Sequence, residues 1–434
     1  MDQFEDFKVA LRQFVQEVCE TIPKEKVPRR LWTRIVRREG GSIDFPQEEH
    51  TDFNSVVLKV VEALNTNVPQ TFRQVMDAIR KNPVLAATIL VDAAGNPIVE
   101  EKSQEWWASN ELARSFLTAY FSGIGRPAYD ESTFDPMFQH LVIDLQSPTI
   151  AVTELSPLLN AKLDCERINV APGLAIRKLS TDELEHWLNQ YMENPFVRMH
   201  ELSARDLYCL DCAIEATYKK GRPEAGGASQ QVYENVPNLV RVVRLLTDRN
   251  VHVAFTKYIS NNMLQMDLGT GYTPRAHILN LEAQLSSSMQ QEIMDIWRRI
   301  NAFTGNSAIR LALRRWDLVA ERDNPDDALI DYWIALESLF IQDSKQEVTY
   351  RASLRTAAFV GETPEEREEI YGKLKKSYNL RSGIVHGGDP KKGDKSELIG
   401  KTRSYLRRAL LKILTSDGPF DPKSIESKLL NKGI

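Results

Sequence analysis

Along the last third of the chain, apolar residues recur every three to four positions with polar residues filling the gaps. Ile370, Tyr371, Leu374, Tyr378 and Val385 form one such stripe, which predicts a helix ending at the pair Gly387 and Gly388. Thr363-Pro-Glu-Glu366 marks its start with an N-cap threonine, a proline at the first helical position and a capping-box glutamate. Asn324-Pro-Asp-Asp327 opens a second helix through Phe340, and Ser344-Lys-Gln-Glu347 is placed to cap a third that ends before Gly361. Asp394 and Glu397 begin a fourth, carrying Leu398, Tyr405, Leu406, Ala409, Leu410 and Ile413. Together with the stretch from Ile309 to Ala320, the pattern predicts a five-helix bundle. Two charges interrupt it. Arg381 falls inside the first stripe, and Glu337 shares a row with Ile330, Trp333, Ile334 and Ile341. Burying a charge is costly unless something opposite meets it, so Glu337 is expected to pair with Arg351, Arg355 or Arg381, mainly as a structural salt bridge.

The earlier two thirds have a different texture. Residues 1–130 are mostly helical in period, with an amphipathic stretch from Phe72 to Leu90 and the pair Trp106-Trp107 ahead of another helix. From about Phe138 to Leu279 strands become prominent: Leu141 to Leu145, Ile150 to Leu155, and a hairpin turning at Ala171-Pro-Gly173 between Ile168-Asn-Val170 and Leu174-Ala-Ile176. Lys219 to Gln231, rich in Gly and Lys, reads as an exposed loop. The expectation is a multidomain chain: 1–130 mainly helical, 131–295 mixed α/β as a possible sensor or regulatory domain, and 296–434 an all-α bundle.

Composition then sets limits. The chain has 434 residues, 42% hydrophobic and 26% charged, enough for two or three domains. A net charge of -5 carries no global nucleic-acid signal. Basic residues cluster locally instead: Arg310, Arg314 and Arg315; Lys391, Lys392 and Lys395; and Arg403, Arg407, Arg408 and Lys412. A solvated helix face is the ordinary reading of each cluster, but the lysines beside His386 are best placed to steer a phosphate. Four cysteines argue against a disulfide scaffold and fit a reducing cytoplasm. Cys209 and Cys212 fall on opposite faces of an alternating strand and have no second ligand pair, so they are read as structural rather than zinc-binding. No signal peptide or membrane-length apolar run is visible, which points to no membrane partner. The remaining histidines, His252 among them, have no spacing that pairs them as ligands.

The chemistry concentrates in Arg381-Ser-Gly-Ile-Val-His386. Arginine keeps its charge at any working pH and can neutralise phosphate, whereas an ordinary imidazole titrates near 6.5 and exchanges protons close to neutrality. Such a pair needs no metal or other cofactor to cleave RNA. Ser382, one turn before His386, could orient the ring, and a helix C-terminus favours its protonated form.

The Asp326-Asp327 helix start, the run Ala335-Leu-Glu-Ser-Leu339, Tyr378 and Leu380-Arg-Ser-Gly-Ile-Val-His-Gly387 together resemble HEPN domains, in particular the Apea-like branch, over roughly residues 300 to 415. The family motif is R-x4-6-H. Arg381 and His386 match it at the shortest spacing, while Ser382 replaces the Asn, Asp or His often found after the arginine. The resemblance implies a metal-independent endoribonuclease with Arg381 and His386 catalytic. It further implies a site completed where two copies pair, RNA as substrate, and use in phage defence or a toxin system. The preceding region would then sense a phage or host trigger, or restrain the nuclease. The alternatives are a catalytically silent binding or assembly module and, more weakly, one half of a pair with a nucleotidyltransferase.

Overall fold

The computed structural model describes residues 4–425 except 23–28, 38–42, 67, 90–101, 127, 148, 194–205, 208, 222–229, 261–266, 273–281, 304–305, 342–346, 387–394 and 417. It is a mixed α/β protein with a sheet in its first half and many helices in its second.

The chain opens with α1 (Glu5–Thr21), followed by two short antiparallel ribbons, β1 (Arg29–Thr33) with β4 (Gln47–Thr51) and β2 (Val36–Arg37) with β3 (Ile43–Asp44). Five helices follow: α2 (Phe53–Thr66), α3 (Gln70–Lys81), α4 (Pro83–Ile89), α5 (Lys102–Ile124) and α6 (Glu131–Gln146). Phe7, Leu11, Phe14, Phe72, Phe116, Phe134 and Leu141 belong to one aromatic-rich core within α1–α6. The strand expected at Leu141 to Leu145 is therefore helix. Phe134, Phe138, Leu141 and Leu145 are all buried at a spacing of three and four, and Asp130 caps the start by accepting from the Ser132 N–H. A short run dense in β-branched residues looks extended only when its flanks are ignored. The first helical unit accordingly runs past residue 130 to about 146, and the unexpected β1–β4 ribbons interrupt its sequence between α1 and α2 without joining its core.

Next come β5 (Thr149–Leu159), β6 (Ala161–Leu163), β7 (Arg167–Ala171), β8 (Leu174–Lys178), α7 (Thr181–Glu193), β9 (Cys212–Gly221), α8 (Gln230–Thr247), β10 (His252–Val253), β11 (Phe255–Ser260), β12 (Asp267–Tyr272) and β13 (Ala283–Leu285). The main sheet is antiparallel in the order β12-β11-β5-β9-β8-β7, with β10 pairing the end of β5. The hairpin expected around Pro172 is present: Gly173 sits at φ +73°, and a Cβ there would lie 2.4 Å from the Thr217 carbonyl oxygen. One sheet face packs on α7 through Leu155, Leu159, Ala213, Trp187 and Leu188. Much of the expected 219–231 loop lies outside the described residues.

The rest is helical: α9 (Gln290–Ala302), α10 (Ser307–Val319), α11 (Pro325–Phe340), α12 (Val348–Val360), α13 (Pro364–Val385) and α14 (Lys395–Thr415). The five helices expected from periodicity are α10–α14, and every apolar residue named above for the last of them is buried. Ser344 lies outside the described residues; α12 starts instead at Val348, after Glu347 in a left-handed conformation. No break in the core falls at residue 295. Leu158, Ile168, Ile176 and Ile214 of the sheet, Val240 and Val243 of α8, Ile293 of α9, and Trp316, Leu336 and Leu410 of the bundle belong to one cluster.

The basic cluster on α14 works inside this assembly. The Arg407 guanidinium donates to the carbonyls of Leu245 (2.5 Å) and Leu246 (2.7 Å), and Arg403 pairs with Asp248 at 3.0 Å. Arg408 donates to the Val360 carbonyl at 3.0 Å, and Lys412 to that of Phe359 at 2.7 Å. These are the open carbonyls at the ends of α8 and α12, where a cation also meets the negative pole of the helix dipole. A face expected to be solvated thus caps two neighbouring helices.

Candidate active site

The helix that carries the motif starts where its sequence says it should. The Thr363 hydroxyl accepts the Glu366 N–H at 3.2 Å, and the Glu366 carboxylate accepts the Glu362 N–H at 2.7 Å. Its buried face consists of Ile370, Leu374, Ser377 and Leu380. Ser377 is a polar group in that core, and its partners explain it. The Trp333 indole N–H donates to Ser377 Oγ at 3.0 Å, Ser377 and Thr402 hydroxyls lie 2.6 Å apart, and Thr402 donates to the Leu398 carbonyl at 2.7 Å. Thr402 has one proton and gives it to Leu398, so Ser377 donates to Thr402. This chain ties α11, α13 and α14 together, and three buried polar groups are satisfied at once. Sequence reasoning passed over it. The available signal was a serine three residues from Leu374 and Leu380 on an apolar row, together with a core tryptophan needing an acceptor.

One turn along α13 the packing loosens. The half-buried Tyr378 meets the Trp333 ring edge-on, with centroids 5.0 Å apart, and the Arg381 guanidinium lies over the Tyr378 ring at 5.6 Å. Arg381 is also half-buried. Its Nε is shielded from solvent and has no hydrogen-bond acceptor among the described residues. Glu337 reaches the same place from α11 and is half-buried rather than buried. Desolvation raises its pKa from the usual carboxylate value, and the opposing pull comes from the charge of Arg381. Of the three arginines expected as its partner, Arg381 is therefore the one that acts on it. Arg355 is fully buried and donates to the Phe340 carbonyl at 2.5 Å, closing the end of α11.

His386 stands at the C-terminal cap of α13, exposed, with φ -92° and ψ 12°. Its backbone N–H donates to the Ser382 carbonyl at 3.1 Å. The contact expected between Ser382 and the imidazole is thus a main-chain one, and among the described residues no hydrogen bond orients the ring. Val385, expected in the apolar stripe, is 52% exposed. Lys391 and Lys392 lie outside the described residues, as do Gly387 and Gly388. Lys395 is described and engaged: its ammonium pairs with Asp326 at 2.6 Å, joining the starts of α14 and α11.

Elsewhere, Asp331 is 2% exposed and clasped by Arg315 at 2.7 Å and Arg322 at 2.8 Å, so one arginine of the 310–315 cluster also serves the fold. Cys212 is buried in β9, with its thiol pKa pushed up by burial, while Cys209 is exposed just before that strand. His252 is buried in β10. Among the described residues no group of three or more His, Cys, Asp and Glu could hold a metal ion, and no helix is long and apolar enough to cross a membrane. No protein-family model, curated protein or solved structure matches the chain.

Proposed function

We propose that this chain is a metal-independent endoribonuclease of the HEPN type, with Arg381 and His386 as its catalytic pair. The observation that carries the reading is a guanidinium whose shielded Nε has no acceptor among the described residues, set five residues before an exposed imidazole at the end of the same helix. A phosphate oxygen is the kind of acceptor a guanidinium takes once the Arg381 side chain swings off the Tyr378 ring and its Nε is uncovered. His386 takes the proton from a ribose 2′-hydroxyl, which attacks the adjacent phosphorus. Arg381 stabilises the charge on the phosphorane, and the P–O5′ bond breaks to leave a 2′,3′-cyclic phosphate.

Five residues of α-helix separate two side chains by about 140° around the axis. One copy therefore does not easily wrap both groups round one phosphate, which favours a paired site in which a second His386 protonates the leaving 5′-oxygen. On the resemblance to HEPN domains, the preceding region supplies control and the setting is phage defence or a toxin system.

The test is incubation of the purified chain with total RNA, with and without EDTA. Cleavage should persist in EDTA and leave cyclic or 3′-phosphate ends, and both His386→Ala and Arg381→Ala should abolish it without unfolding the protein. Products ending in a 3′-hydroxyl, or full activity in either variant, would overturn the proposal. A silent binding or assembly module is the second reading, favoured by the fact that among the described residues no side chain holds the His386 ring.

A further inference from the structure

Beside the Arg381–His386 pair, α13 presents a row of rings and cations. Tyr371 and Tyr378 are seven residues apart, so they lie on one face two turns from each other. Tyr350 of α12 joins them: it is 51% exposed and meets Tyr371 edge-on, with centroids 6.2 Å apart. The Lys375 ammonium sits over Tyr371 at 5.6 Å, as Arg381 sits over Tyr378.

The charges on α13 and its neighbour are divided. Toward α14, cation meets carboxylate: Lys373 pairs with Glu397, Lys401 with Glu369 at 3.6 Å, and Arg408 with Glu366 at 2.8 Å. On the tyrosine side, Lys375 has no ion pair among the described residues and Arg381 is met only by the partly desolvated Glu337. A face that leaves its cations over aromatic rings complements a polyanion that carries flat bases.

We propose that Tyr350, Tyr371 and Tyr378 form a stacking platform for bases of single-stranded RNA, while Lys375 and Arg381 hold its phosphates. This rests on the ribonuclease reading of the adjacent pair and names the form of its substrate. Magnitudes decide whether bases displace the resting cations. A cation over an exposed ring is worth about 0.5–1 kcal/mol, whereas stacking one base on an aromatic side chain is worth about 1–3 kcal/mol. Exchange is favourable, and it frees the cations for phosphate. Tyr371 precedes His386 by about 22 Å of helix axis, a span that takes several nucleotides of an extended strand.

The experiment uses the full chain carrying His386→Ala, so that RNA is bound without being cut, and measures affinity for a labelled single-stranded oligoribonucleotide and its hairpin counterpart. The single strand should bind more tightly. Adding Tyr350→Ala should weaken it about tenfold, Tyr350→Phe should restore it, and Lys375→Gln should flatten the salt dependence. Unchanged affinity in a folded Tyr350→Ala protein overturns the platform, as does undetectable binding. So does a Tyr350→Ala variant that changes only the oligomeric state, since the face would then be a protein interface. The parallel cleavage assay on the unsubstituted His386 protein keeps the two ideas apart. Tyrosine-dependent binding without cleavage sinks the ribonuclease and leaves the platform; normal cleavage in Tyr350→Ala alone does the reverse.

Discussion

At the residue scale, Glu337 shows how burial and charge compete. Its pKa is raised because desolvation outweighs the attraction of Arg381, so the ionised form is a net cost to the folded state. The sign follows: stability falls as pH rises from the unfolded carboxylate pKa through the higher folded value, and the penalty is fully present above it. Glu337→Gln should therefore melt no lower than the parent at pH 8 and lose that part of the pH dependence, in thermal melts compared at pH 5 and pH 8. This reverses the expectation for a buried salt bridge, whose loss commonly costs about 3–5 kcal/mol. If Glu337 also positions Arg381, the cleavage rate of the variant falls while its melting temperature holds. Arg381 and His386 stand out as candidates because both lie in one short motif. The ion pair of Lys395 was not legible, because its partner, Asp326, is 69 residues away and no local pattern reveals it. The Trp333–Ser377–Thr402 chain was hidden for the same reason.

At the element scale, α13 contains two glycines that its own fold does not require. A Cβ at Gly372 or Gly383 would meet nothing within 4 Å. Glycine inside a helix is worth about 0.5–1 kcal/mol less than alanine. Gly372→Ala and Gly383→Ala should each raise the denaturation midpoint in urea, with an unchanged slope. Gly383 lies between Arg381 and His386, so a fall in cleavage by the more stable Gly383→Ala protein would show that RNA or a second chain comes close to the backbone there. The contrast is Gly361, where a Cβ would lie 2.6 Å from Arg367 Cγ and 2.9 Å from the Ala357 carbonyl oxygen, so alanine should destabilise. Helix starts were legible wherever Thr363 or Asn324 supplied a cap, because capping is local chemistry. The last turn and a half of α6, Leu141 to Leu145, reads as a strand only in a short window, because the buried Phe134 and Phe138 that set its helical phase lie outside it. The β1–β4 ribbons were missed because their support is distant: the Ile35 N–H donates to Glu185 at 2.7 Å and the Thr33 N–H to Asn189 at 2.8 Å.

At the scale of the whole molecule, the bundle and the sheet share one core, which decides how the chain can be divided and how a signal could reach the site. Val240, Val243 and Ile293 are buried in the same cluster as Leu406 and Leu410, and a large apolar side chain left in water forfeits about 1.5–3 kcal/mol. Losing several such contacts costs about as much as the roughly 5–15 kcal/mol by which a domain is stable. Arg407 and Arg403 would lose their acceptors on α8 in the same cut. A fragment of residues 296–434 should therefore be insoluble or lack a cooperative melt, whereas 149–434 should unfold in one transition by near- and far-ultraviolet circular dichroism. A 296–434 fragment that melts cooperatively near the parent temperature would show that the bundle stands alone. Within the intact chain, Arg407→Ala tests the join: it leaves the Leu245 and Leu246 carbonyls without their donor, at about 1–3 kcal/mol. Because α14 also receives the Ser377 hydrogen bond through Thr402, loosening α14 should disturb α13 as well, and on the proposed ribonuclease reading cleavage should fall more steeply than stability. Equal losses in both would mean that the sheet contributes support to the site but no control.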